Sequence, residues 1–376
     1  MIKSWSYNEE YINLRKKILK SIDKSLKSGK IFFGKELEKL EKNFIKKNKF
    51  KYGLGVGSGT DALNIALLAL EIGVNDEVIT VSNTAIPTVS AIRSCGSKVR
   101  FVDIGNDYLI DANKIESYIN KNTKAIIPVH LYGQSCDMDK ILKLAKKYKL
   151  KVIEDCAQAQ GAKFKNKYVG NFGNVGCFSF YPTKILGGYG DGGFISTNSY
   201  ELMKKMKRIR FYGIEQVDKK NKYLNKYYAN EHGTNSRIPE IQSSILNLKL
   251  PKVKSWINKR RQIAKIYEQK LRYTSLKLPY VNKNCDHVFH LYVVYHQKRD
   301  KIIKKLHAKN IQVGINYPFP IHKMKAYKNY VCNKCNCLPV TEKLAKGIFS
   351  LPLYPEMKIT DIHKVSKSLK EILDKI

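Results

Sequence analysis

Seven short apolar runs, separated by helical patterns, limit how this chain can fold. They are "YGLGVGS" (52–58), "EVITV" (77–81), "KVRFVDI" (98–104), "KAIIPVHLYG" (124–133), "KVIEDCA" (151–157), "VGCFSFYP" (175–182) and "GGFISTN" (192–198). Stretches of helical period, such as "DMDKILKLAKKY" (137–148), lie between them. Strand, helix and strand in succession call for a mostly parallel sheet covered by helices on both faces. Such sheets bind ligands beyond the carboxyl ends of their strands. The residues that close each run are therefore the ones to inspect. Near Pro251 the pattern changes, and a long helical stretch (251–271) leads into a strand pair and short helices. We expect an α/β protein with a large domain over 1–250, opened by a helical segment, and a small C-terminal α/β domain over 251–376. Two domains suit a chain of 376 residues.

The first run leads into "GSGTDALNIALLALEIG", a glycine-rich turn and a helix. Ala62, Ile65, Ala66, Ala69 and Leu70 recur at helical spacing and predict one buried face. Ser58, Gly59 and Thr60 open that helix. Unpaired amides, the positive helix end and two hydroxyls suit a phosphate, and an N-cap turn without a ligand explains the same residues. A dinucleotide fingerprint beginning at Gly55 fails, because Thr60 stands where its third glycine belongs and Glu77 precedes a strand instead of ending one. Gly188, Gly190 and Gly193 also match that fingerprint, but no helical pattern follows them.

Composition removes other classes. Lys and Arg number 69 against 32 Asp and Glu, a net charge of +37. Only ten of the basic residues are Arg, and the lysines are spread along the chain. Base-reading proteins lean on Arg forks, so nucleic acid is not the expected partner. Such a field does favour small anionic substrates. No run approaches the ~18 apolar residues of a membrane span, and the N-terminus carries charges where a signal peptide needs an apolar block. A cytoplasmic protein is the expectation. Cys332, Cys335 and Cys337 in "CNKCNC", with His322 ten residues earlier, lack a fourth zinc ligand at a standard spacing, so no metal is expected.

Asp155 closes the run "KVIED" and stands where a carboxylate would face the ligand cleft. About 20 residues on, "FSFYPTKILGGYGDGG" supplies Ser179, Tyr181 and Thr183, with Lys184 between a Tyr-Pro-Thr shoulder and a run of glycines. A phosphate cradle, a strand-end Asp and a lysine in a loop of small residues form the parts list of a pyridoxal phosphate site. That cofactor needs an amine to bond its aldehyde, an anion beside its ring nitrogen and an anchor for its phosphate.

Here the chain resembles the DegT/StrS family of pyridoxal-phosphate-dependent sugar aminotransferases, which have the aspartate aminotransferase fold (fold type I). The resemblance rests on "GSGTDAL", "SNTAIPTVSAI", "PVHLYGQSCDMD", "VIEDCAQAQGA", "FSFYPTKILGGYGDGG", "GTNSRIPEIQSSIL", "YPFPIHK" and "SLPLYPEM", in order from about residue 30 to about 360. It implies that Lys184 bonds the cofactor aldehyde and that Asp155 pairs with the pyridine nitrogen. Gln158 would lie by the ring and its 3-hydroxyl. Gly59, Thr60 and Ser179, with Ser58 beside them, would hold the phosphate. Asn235 would reach the phosphate in a partner subunit, which implies a homodimer with shared sites. Tyr317 and His322, in a region that lines the sugar side in the family, are candidates for substrate contact. His130 ends the run "AIIPVH" and is a third, expected to face the cleft. Many members place an aromatic ring over the cofactor where this chain has Ala85.

The implied reaction moves an amino group from glutamate to a nucleotide-linked keto-deoxysugar, making an aminosugar for surface polysaccharide or glycan synthesis. An unperturbed lysine is protonated, with a pKa near ~10.4. Shielding from water beside a cationic cofactor would lower that of Lys184 and make it nucleophilic. Released from the cofactor, Lys184 would shuttle a proton between the donor's α-carbon and the cofactor, while Asp155 keeps the ring nitrogen protonated. The rivals are an aminocyclitol aminotransferase, a related sugar dehydratase (in which His replaces the lysine, against Lys184 here), an oxidoreductase using the glycine turn, and a basic DNA-binding regulator.

Overall fold

The computed structural model describes residues 1–215, 227–328 and 338–376. Cys332, Cys335 and Cys337 lie outside them. Helices α1 (Asn8–Lys27) and α2 (Lys35–Asn48) open the chain. Strand and helix then alternate: β1 (Tyr52–Val56), α3 (Gly59–Ala69), β2 (Glu77–Val81), α4 (Ile86–Ser94), β3 (Lys98–Val102), β4 (Thr123–Ile126), α5 (Met138–Lys147) and β5 (Lys151–Asp155). A small hairpin, β6 (Lys163–Phe164) and β7 (Lys167–Tyr168), precedes β8 (Val175–Ser179) and β9 (Gly193–Thr197).

Seven of these strands form one sheet in the order β1-β9-β8-β5-β4-β2-β3. Strands β2, β3, β4, β5 and β8 run parallel, and β9 runs against both its neighbours, β1 and β8. The mostly parallel sheet is thus as the alternating runs predict. Successive side chains of a strand point to opposite faces. Val78 accordingly joins the layer under α3 and α4, while Ile79 joins Tyr108, Met138 and Ile141 on the other face. Ala62, Ile65, Ala66 and Ala69 of α3 are buried, as their spacing predicts, whereas Leu70 caps the helix and is only half-buried. Each large aliphatic side chain so enclosed contributes about 1.5–3 kcal/mol.

Helices α6 (Tyr200–Ile209), α7 (Glu240–Lys249) and α8 (Val253–Leu271) follow. The chain continues through β10 (Cys285–Asp286), β11 (Tyr292–Tyr295), α9 (Arg299–Ala308), α10 (Pro339–Ala345), β12 (Ile348–Leu351) and α11 (Ile359–Leu373). Strands β11 and β12 pair antiparallel. They share a separate apolar cluster with Tyr267 of α8, Leu306 of α9 and Leu369 of α11. Ile2 joins it too: its amide donates to the Asn310 carbonyl at 2.8 Å and its carbonyl accepts from Gln312 at 2.9 Å. Among the described residues, no helix is long and apolar enough to cross a membrane.

The large sheet positions the site through its strand ends. Chain direction brings the start of α3, the start of α4, and the last residues of β5 and β8 to one edge. A cavity of about 340 Å³ opens there.

Candidate active site

The cradle is built from backbone. Ser58 is extended and its Oγ accepts from the Asp61 amide at 3.0 Å, so it caps α3. The Ala62 amide closes the first helical turn on the Ser58 carbonyl. The amides of Gly59 and Thr60 find no acceptor among the described residues, and both residues line the cavity. A Cβ on Gly59 would stand 2.8 Å from that of Ser179, and one on Gly193 would stand 2.3 Å from the Ser58 carbonyl oxygen. Glycine at both positions lets the helix start press against the ends of β8 and β9. Ser179 Oγ accepts from the Tyr181 amide at 3.2 Å, which leaves its own proton free to donate.

Asp155 ends β5, and only 5% of it is exposed. Its Oδ2 accepts from the Thr88 hydroxyl at 2.8 Å and its Oδ1 from the Ala157 amide at 3.1 Å. Burial pushes its carboxyl upward, and the Ala157 amide, Thr88 and the charge of Lys184 pull it back. Lys184 lies in the loop after β8, where its amide donates to the Tyr181 carbonyl at 2.9 Å. Its side chain lines the cavity and makes no ion pair among the described residues. Burial pushes its amine down to about 8, against an opposing pull from Asp155. Gln160 braces this loop: it donates to the Ser179 carbonyl at 2.6 Å and accepts from the Leu186 amide at 2.6 Å.

Gln158 lines the cavity and is held at both ends of its amide. Its Oε1 accepts from the Tyr132 amide at 3.0 Å, and its Nε2 donates to the Tyr317 hydroxyl at 3.0 Å. Tyr317 therefore reaches the site through Gln158. Its enclosure pushes the hydroxyl up to about 12. The Tyr132 hydroxyl donates to the Asn316 carbonyl and ties the same segment down. Ala85 lines the cavity at the start of α4, with Thr84, Pro87 and Thr88.

Three expected residues are not brought to this cavity within one chain. His130 is fully buried, with Nε2 3.0 Å from Glu154 Oε2 and Nδ1 accepting from the Cys136 amide at 3.1 Å. Both ring nitrogens are thus engaged inside the protein, and the expected approach to the cleft is not made. The reason is strand alternation: the chain still pairs with β5 beyond Ile126, with Val129 beside Asp155 on the cavity side, so His130 falls on the opposite face with Glu154. His322 is 3% exposed, with Nδ1 2.7 Å from Ser82 Oγ and Nε2 3.0 Å from Glu342 Oε1. It braces the segment carrying Tyr317 against the end of β2. Asn235 is exposed and lies away from the cavity lining.

Sequence reasoning passed over Thr88 and Gln160. Thr88 had a legible signal, a hydroxyl in the first turn of a helix that begins at a strand's carboxyl end. Gln160 had none, because its two partners lie 19 and 26 residues away.

Residues 13–370 match the model of the DegT/DnrJ/EryC1/StrS aminotransferase family. The chain is 40% identical, over 98% of its own length and 98% of the relative's, to the dTDP-3-amino-3,4,6-trideoxy-alpha-D-glucose transaminase of Micromonospora megalomicea subsp. nigra. Its fold is similar to that of S. venezuelae DesV in complex with a ketimine intermediate, at 33% identity, with a TM-score of 0.93 and 99% and 98% of the two chains covered. It is similar also to NtdA from Bacillus subtilis with bound cofactor PMP, at 30% identity, with a TM-score of 0.89 and 100% and 86% covered. A match over nearly the whole length, on a sheet that presents a lysine, an aspartate and a backbone cradle in one cavity, makes this chain a member of the DegT/DnrJ/EryC1/StrS aminotransferase family.

Proposed function

We propose that this chain transfers an amino group from glutamate to a nucleotide-linked ketosugar, using pyridoxal phosphate, as a cytoplasmic homodimer. The supporting observation is the makeup of one cavity, which holds a depressed amine, a strand-end carboxylate and two unpaired helix-start amides. These groups fit the cofactor's three demands, an amine for the aldehyde, an anion for the ring nitrogen and donors for the phosphate. When bound, pyridoxal phosphate supplies an aldehyde that captures amines and a ring that takes up electrons from the adjoining carbon.

The protein's share of the work follows from the side chains. The Gly59 and Thr60 amides and the Ser179 hydroxyl hold the phosphate, and the α3 dipole adds to their field. Asp155, fixed by Thr88 and Ala157, keeps a proton on the ring nitrogen. Gln158 sits beside the ring, steadied by Tyr132 and Tyr317. Lys184 Nζ takes the α-proton of glutamate in the first half-reaction and places a proton on the former keto carbon of the sugar in the second. An amine with a pKa near 8 serves both directions at physiological pH. Tyr317 stands on the sugar side. Asn235, exposed in one chain, reaches the phosphate of the partner's site.

A panel of nucleotide ketosugars, incubated with glutamate and the cofactor, tests the reading by product mass. One sugar should exchange its keto oxygen for an amine, with 2-oxoglutarate as co-product. Failure of every nucleotide ketosugar, alongside turnover of a free aminocyclitol precursor, would overturn it. Sedimentation of the purified protein checks the dimer.

A further inference from the structure

A second cavity, of about 260 Å³, shares a wall with the Lys184 loop. The end of α2, the β6–β7 hairpin and the start of α8 enclose it, and Leu186 and Gln160 form the shared wall. Its floor is apolar, with Phe44, Val253 and Ile257 all buried. Its rim is cationic, with Lys47 on α2, Lys163 on β6, and Lys254 and Arg261 on α8. The one acid among these lining residues is Asp286, 3.6 Å from the Lys163 amine.

The other three cations make no ion pair among the described residues. Arg261 gives its Nε to the His287 carbonyl at 2.9 Å, which leaves the rest of its fork without a carboxylate. Lys47 and Lys254 face one another's charge, and burial together with Lys254 pushes the Lys47 amine down. Like charges gathered at one rim repel one another, and an anion placed among them relieves that repulsion.

We propose that this cavity binds a small phosphate monoester with an apolar body. The phosphate sits among Lys47, Lys254 and Arg261, and the body lies on Phe44 and Ile257. Leu186 is two residues past Lys184, and Gln160 ties Leu186 to Ser179 of the cradle. An occupant therefore rests against the loop that carries the active amine, through a site separate from the substrate cleft.

The test is a calorimetric titration of the cofactor-saturated protein with phenyl phosphate and with inorganic phosphate at low ionic strength. Phenyl phosphate should bind saturably, and at least about fivefold more tightly than inorganic phosphate because of the floor. Lys254→Glu, on an exposed side chain, should weaken phenyl phosphate at least about tenfold. Lys47→Gln should act in the same direction and covers the case where Lys254→Glu misfolds. Lys301→Glu makes the same charge change on α9 and should leave the affinity within about twofold. Absence of binding, equal affinity for the two probes, or equal loss in Lys301→Glu would each overturn the proposal, the last by tracing the effect to the general basic field.

Discussion

Lys249 is buried and Lys184 half-buried at its cavity wall, and desolvation lowers the pKa of both amines, yet their surroundings are opposite. Lys249 meets Glu10 of α1 at 2.6 Å and stands 4.6 Å from the ring centre of Tyr189. The Tyr189 hydroxyl donates to the same carboxylate at 3.0 Å, so α1 is latched to the loop beyond Lys184. Lys184 has no such partner. Its nearest opposing charge, Asp155, is already held by Thr88 and Ala157. Burial that is offset on the spot makes a strut. Burial left without a counter-ion, at the wall of a cavity, makes a nucleophile.

The largest expected effect divides the two lysines. Lys184→Ala should lower transamination at least about 10³-fold and remove the visible absorbance of the protein-linked cofactor. Its melting temperature without cofactor should not fall, because a desolvated amine without an ion pair has been deleted. Lys249→Met should leave turnover per folded molecule within about threefold and cost about 3 kcal/mol in urea unfolding, by stranding Glu10. Adding Glu10→Gln should restore most of that loss. Turnover in Lys184→Ala near the unsubstituted value would break the comparison at its centre.

A neighbouring pair sharpens it. Glu154 and Asp155 are adjacent on β5, and the strand sends their side chains to opposite faces. Glu154 accepts from the amides of Gly170, Phe172 and Gly173, each at 2.7 Å, besides its contact with His130. Asp155 has two partners and faces the cavity. Glu154→Gln should cost about 2–3 kcal/mol of stability, since an amide group cannot accept all of these donors. Asp155→Asn should change stability by less than about 1 kcal/mol and lower turnover about 10²-fold. Unfolding curves and steady-state rates on both variants check the crossing. Equal damage to both properties in both variants would erase the distinction between saturated and open acids.

The same contrast explains what could be read from the sequence. Strand succession, the buried face of α3, Asp155 and Lys184 were legible because they depend on local period and on where a run ends. The partners that hold them depend on distant segments. Ser82 and Glu342 flank His322 from 240 and 20 positions away, and no local pattern announces them. His130 shows the limit from the other side. "AIIPVH" does run on beside β5, but its alternation puts Val129, paired with Asp155, on the cavity side and His130 on the other. Closing a run brings a residue near the cleft, and only the parity of its position decides whether it faces the cleft.

The smallest effect concerns pH, in the protein without cofactor. Unfolded, Lys184 keeps its proton up to its ordinary value of 10.5, whereas folded it loses the proton near 8. Between about pH 8 and 10.5 the unfolded chain therefore binds more protons, and stability must rise with pH across that window. Lys249 is lowered too, but Glu10 opposes the shift there, so its share is smaller. The difference between the unsubstituted chain and Lys184→Met isolates the first lysine from all other titrations. Urea midpoints taken through the window should show the unsubstituted chain gaining on the order of 1–3 kcal/mol over the variant. Parallel curves would mean that Lys184 holds its proton in the folded state as firmly as in water. The amine would then be as ordinary as any on the surface, and the distinction between the strut and the nucleophile would rest on position alone.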